Sequence, residues 1–128
     1  MLHYVQYPHP DRFGGDCAAV AAGEFLVGTN KRTKDLLGRQ LWVICGEGRP
    51  RRYWLCKRYR IDQIDLADDP DFRLYLRGHE GVRFQPPILL NDLPWFSAFC
   101  RSQSNFSFGL NRIHPDFVPE FEALVAKS

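Results

Sequence analysis

The side chains of this sequence best suited to chemistry are four cysteines, Cys17, Cys45, Cys56 and Cys100, and four histidines, His3, His9, His79 and His114. Their spacing announces no metal. There is no C-x-x-C pair, and no cysteine stands at zinc-finger distance from a histidine. The expectation is a chain without metal or cofactor. Cys45 and Cys56 lie inside apolar runs, where an unpaired cysteine behaves as a small buried hydrophobe. All thiols are expected to be free. His3 and His9 fall in a Pro- and Gly-rich lead-in, His79 in a turn, and His114 before Pro115 at a helix start, a capping or surface place. Asp68, Asp69 and Asp71 surround Pro70 and read as a solvated turn rather than a cation site. No G-x-S-x-G, P-loop, dinucleotide fingerprint or H-E-x-x-H occurs. A Cys–His nucleophile pair would be adjacent in space rather than in sequence, so a small enzyme of that kind stays as an alternative. The better reading is a binding module without catalytic residues.

Two stretches suit binding. RPRRYWLCKRYR interleaves arginines with aromatic rings. Guanidinium groups neutralise phosphates and aromatic faces stack on bases, so Arg49, Arg51, Arg52, Trp54, Arg58 and Arg60 are the candidate nucleic-acid contacts. LNDLPWFSAFCRSQSNFSFG sets Trp95 and several phenylalanines beside a short polar run. An aromatic wall with a few hydrogen-bonding groups is what a pocket for a planar ring needs. Trp95 falls off the apolar stripe formed by Leu93, Phe96, Phe99 and Cys100, so Trp95, Ser104 and Asn105 are the candidate base pocket.

The elements that must hold these residues are strand-rich. LWVIC and YWLCKRYRI are joined by GEGRP, which is turn chemistry, and together they predict a hairpin. Alternation puts Tyr53, Leu55, Tyr59 and Ile61 on one face and Trp54, Cys56, Arg58 and Arg60 on the other. The apolar phase slips at residues 62–64, which predicts a bulge there. DCAAVAAGEFLVG predicts a short helix, a break at Gly23 and a strand. Gly38 suits a helix-terminating C′ position. RLYLRG predicts another strand, and GVRFQPPILL begins extended because the paired prolines disfavour helix before them. Asp92 predicts an N-cap with Pro94 in the first turn. SNFSFGLNRI predicts a returning strand. HPDFVPEFEALVAK predicts an amphipathic helix with Phe117, Phe121, Leu124 and Val125 on its inner stripe.

The chain has 128 residues, 45% hydrophobic and 25% charged, the profile of one ordinary globular domain that folds without staples. Its net charge is +2, but residues 31–60 hold nearly all their charge as cations, while Asp62, Asp65, Asp68, Asp69 and Asp71 follow closely. Such a segregated distribution can present one basic face. No apolar run approaches a membrane span, and MLHYVQYPHPDRFGG lacks the apolar core of a secretory leader. The expectation is a cytoplasmic domain, 1–128, with an irregular lead-in over 1–23. Strands and helices without a βαβ rhythm make it α+β.

The order LWVICGEGRPRRYWLCKRYRIDQI, GVRFQPPILLNDLPWF, a late strand and a terminal helix resembles the PUA-like superfamily. The nearest comparison within it is the EVE-type and related modified-base-reading domains. The likeness covers residues 24–126. It implies a small β pseudo-barrel with flanking helices and a C-terminal amphipathic helix. It also implies a DNA or RNA partner read through an extruded, often methylated, base, and a separate nuclease or modification enzyme to act on it. The expected function is therefore nucleic-acid binding. A small Cys/His enzyme or a protein-interaction subunit is the alternative.

Overall fold

The computed structural model describes residues 2–7, 17–30, 35–48, 50–103 and 110–127. Its strands are β1 (His3–Gln6), β2 (Leu26–Thr29), β3 (Gln40–Glu47), β4 (Arg52–Arg60), β5 (Gln63–Leu66), β6 (Leu74–Arg77), β7 (Gly81–Leu89) and β8 (Leu110–Arg112). Its helices are α1 (Cys17–Ala22), α2 (Phe96–Ser102) and α3 (Val118–Lys127), with a 3-10 turn over Pro115–Phe117 leading into α3.

The strands form two open sheets rather than the expected pseudo-barrel. The five-stranded sheet has the order β7-β4-β3-β1-β8 and the three-stranded sheet the order β2-β6-β5. Neither closes on itself: β7 and β8 are the edges of the first, and β2 and β5 those of the second. The α+β class holds, and the barrel is corrected.

Strand β3 explains the layering. Its six residues Leu41–Gly46 are buried without interruption, the pattern of a strand covered on both faces. Leu41, Val43 and Cys45 enter one core with α1, Phe25, Val27 and Leu76. Trp42 and Ile44 enter a second core with Phe96, Phe99, Phe121 and Leu124 of α2 and α3. The large sheet is therefore a middle layer between α1 with the small sheet and the α2–α3 pair.

The lead-in is not irregular throughout. β1 lies between β3 and β8, parallel to β3 with Tyr4 opposite Leu41 and antiparallel to β8. All four of its residues are buried. Too short for a pattern signal, it takes its place from the neighbours it pairs with.

The bulge also moves. Pairing of β3 with β4 shifts between Val43 and Ile44: Lys57 faces Val43 and Leu55 faces Ile44, leaving Cys56 as the extra residue. An extra residue changes which parity faces which side. Tyr53 and Leu55 face the α2–α3 core, whereas Cys56 and Tyr59 face the α1 core. The single alternating face expected for Tyr53, Leu55, Tyr59 and Ile61 is thus split.

Helix α2 starts later than the sequence suggests. Trp95, not Asp92, is its N-cap, with no side-chain cap bond, and Asn91 instead accepts from the Tyr53 amide at 2.6 Å. The break after α1, the strand over Leu74–Arg77 and the capping role of His114, which accepts from the Asp116 amide at 3.2 Å, agree with the sequence reading; Gly38 has a positive φ, but among the described residues it ends a turn rather than a helix. The Asp69 carboxylate accepts from the Asp71 amide at 2.7 Å in the predicted polar turn.

Candidate functional site

Helix α1 lies on β3, β4 and β7, and its seating brings the chemistry together. Cys17 opens α1, Cys45 lies near the end of β3, and Cys56 is the bulged residue of β4. Their three sulfurs lie within 4.8 Å of one another, and all three residues are buried. Cys17 and Cys45 form a disulfide with Cα atoms 5.6 Å apart, an ordinary separation for such a bond. The expectation of free thiols therefore fails for this pair. Cys56 and Cys100 keep free thiols.

Cys56 is the third member of the cluster. Its Sγ donates to the Cys17 carbonyl at 3.5 Å. Burial pushes its thiol up to about 12, with Lys57 pulling the other way. At neutral pH it is a protonated thiol and a poor nucleophile. The Glu47 carboxylate accepts from the Cys17 amide at 3.2 Å and fixes the start of α1. Three thiolates so placed have the donor set of a soft-cation site, a chemistry that the Cys17–Cys45 bond precludes while it is closed.

Between α1 and the β3–β4 hairpin lies a cavity of about 280 Å³ lined by Val20, Glu24, Leu26, Val27 and Val43, with Lys57 as its buried cation. Lys57 points inward because it follows the bulged Cys56. Its Nζ donates to the Glu24 carbonyl at 2.5 Å. Burial, only partly offset by Cys56 and Glu24, brings its ammonium down to about 8.

Compared with known proteins, the chain matches no family model and no curated protein. Its residues alone carry the functional argument.

The sequence-predicted contacts scatter. Arg51 and Arg52 are exposed at the turn end of the hairpin. Arg51 donates to the Tyr7 hydroxyl at 2.6 Å, and the Tyr7 and Tyr53 rings meet at 5.6 Å. Arg58 sits half-buried toward the other end, 5.4 Å over the Trp42 ring and 3.8 Å from the Glu122 carboxylate. Arg60 is exposed and bonded to Asp62 at 3.0 Å. Trp54 is half-buried against the α1 core. Arg51, just before β4, and Arg58 and Arg60 on it thus make separate contacts. Arg49, Ser104 and Asn105 lie outside the described residues.

Trp95 is half-buried, with ring centroids 5.0 Å from Phe121 and 6.1 Å from Phe99. Its place as the N-cap, one residue before α2, turns it into the helix-facing core rather than away from it. Among the described residues, no helix is long and apolar enough to cross a membrane.

Sequence reasoning missed the thiol cluster, although the hairpin held a signal. Cys45 faces Trp54, so Cys56 follows two residues beyond its opposite position. The place of Cys17 depends on how α1 docks, which no local pattern encodes.

Proposed function

We propose that this chain is a binding domain governed by a thiol centre. The observation that carries the reading is the convergence of Cys17, Cys45 and Cys56 from α1, β3 and β4 within 4.8 Å. A closed Cys17–Cys45 bond clamps α1 to the sheet. Opening it frees α1, which forms one wall of the Lys57 cavity. A cytoplasmic setting fits this use, because disulfides there are characteristically transient and regulatory. The reading favours the alternative of a hidden cysteine site over a nucleic-acid module, but as a switch rather than a catalytic nucleophile, since Cys56 is protonated and buried.

The test is alkylation under denaturing conditions, with and without prior dithiothreitol. Dithiothreitol gives two electrons and two protons to the bond, releasing two thiols and its own cyclic disulfide. The oxidised chain should alkylate at two cysteines, Cys56 and Cys100, and the reduced chain at all four. A loop of sequence separation 28 corresponds to about 3–4 kcal/mol of stabilisation, so the reduced chain should melt well below the oxidised one. Four alkylated cysteines after treatment with glutathione disulfide would reject the switch. About one zinc per chain in freshly purified protein would replace it with a metal centre.

A second reading is nucleic-acid binding, as the PUA-like resemblance implies, with a separate nuclease or modification enzyme acting on what is bound. The observation favouring it is the Tyr7–Arg51–Tyr53 group beside exposed Arg52. Replacing Arg51 and Arg52 with alanine should weaken oligonucleotide binding for every sequence and flatten its salt dependence by roughly one to two units. An unchanged slope would remove this surface from consideration.

A further inference from the structure

A buried ammonium lining a largely apolar cavity is an unusual arrangement. Lys57 is 4% exposed, and a lysine is almost never so buried without a partner of opposite charge. An ammonium has three donors. Among the described residues, one is used, on the uncharged carbonyl of Glu24. The Glu24 carboxylate is 76% exposed and lies 3.8 Å from Arg77. A second cation stands close by: Arg83 donates to the Gly23 carbonyl at 3.1 Å and covers the Phe25 ring at 4.0 Å. The local field therefore favours an anion.

Besides Gly23 and Glu24, the remaining walls are aliphatic: Ala19, Val20, Leu26, Val27 and Val43. A volume of about 280 Å³ lies at the small end of ligand pockets. It suits a short hydrocarbon with one charged end.

From this geometry we infer that the cavity between α1 and the β3–β4 hairpin binds a small apolar monocarboxylate, its carboxylate on the Lys57 ammonium and its hydrocarbon part among the valines and Leu26. The carboxylate supplies the opposite charge that, among the described residues, none places on Lys57. The inference does not rest on the thiol switch, because both residues and cavity are present with α1 clamped.

The experiment is a calorimetric and amide-shift NMR titration of the oxidised chain with hexanoate and with its neutral isostere hexanamide. Hexanoate should bind and shift the amides of Val20, Leu26, Val43 and Lys57. Hexanamide should bind about tenfold or more weakly, the loss expected of one charge-assisted hydrogen bond. Lys57→Met should abolish the preference for hexanoate. No binding of hexanoate, equal affinity for the two ligands, or shifts confined to another part of the chain would each overturn the assignment. The comparison of ligands on the unaltered chain decides the matter even if Lys57→Met does not fold. Repeating it on reduced protein separates the two proposals: a carboxylate preference in a chain whose cysteines never pair upholds the cavity and rejects the switch.

Discussion

The Tyr59 hydroxyl donates to the Leu76 carbonyl at 2.6 Å, from β4 of the large sheet to β6 of the small one. Both residues are fully buried. The bond therefore links the two sheets, and burial pushes the phenol well above its ordinary range. Tyr59→Phe keeps the ring against Phe25, 5.4 Å away, and removes only the donor. A buried hydrogen bond of this kind is worth about 0.5–1.5 kcal/mol. The urea midpoint should fall accordingly, without loss of the folded state. An unaltered midpoint would mean that this bond adds nothing to the joining of the sheets.

Trp95 packs among Phe96, Phe99, Phe117 and Phe121. Removing a half-buried indole from such a cluster loses dispersion and leaves a void. Trp95→Ala should cost roughly 2–4 kcal/mol of stability. Thermal melting measures it. An unchanged melting temperature together with lost oligonucleotide affinity would instead identify the ring as a ligand contact.

Gly81 faces Tyr59 across the β4–β7 ladder. A Cβ there would run into the Arg58 carbonyl oxygen and the Tyr59 backbone, neither of which can swing aside. Gly81→Ala should destabilise by about 1–3 kcal/mol through overpacking. At Gly23 the nearest atom to an added Cβ is 3.4 Å away, so Gly23→Ala should be nearly silent. Equal melting temperatures for the two variants would contradict the close strand approach.

What the sequence disclosed was local. The β3–β4 hairpin follows from β-branched and aromatic residues around GEGRP, α1 from its alanines, and the terminal helix from its apolar stripe. Three features depend on distant partners instead. β1 is four residues long and acquires its identity only between β3 and β8. The bulge at Cys56 reverses the parity of β4, so alternation misassigns Tyr59 and turns Lys57 inward. Whether the strands close into a barrel depends on edge pairing, which resemblance of element order does not determine. The thiol cluster and the Lys57 cavity both follow from that bulge and from the docking of α1, and for this reason neither was visible in the spacing of residues.

His3 makes the sheet sensitive to acid. The Trp42 indole donates to His3 Nδ1 at 2.9 Å, which requires that nitrogen to be bare. Its Nε2 lies 3.6 Å from the Glu122 carboxylate, which also meets Arg58, so β1, β3, β4 and α3 converge on this one ring. A proton on Nδ1 would set two donors against each other. Burial is the largest influence and lowers the His3 value below 6.5; Glu122 opposes it, while the N-terminal amine and Arg58 add to it. Below about pH 6.5 the unfolded chain takes up a proton that the folded chain resists, so the unfolded state binds more protons and unfolding becomes easier as pH falls. The loss levels off once the pH passes below the folded value. Stability from urea unfolding should therefore be higher at about pH 7.5 than at about pH 5.5. His3→Gln, which can still accept from Trp42 but does not titrate, should show a smaller drop over the same window. An identical drop in both proteins would place the acid sensitivity elsewhere.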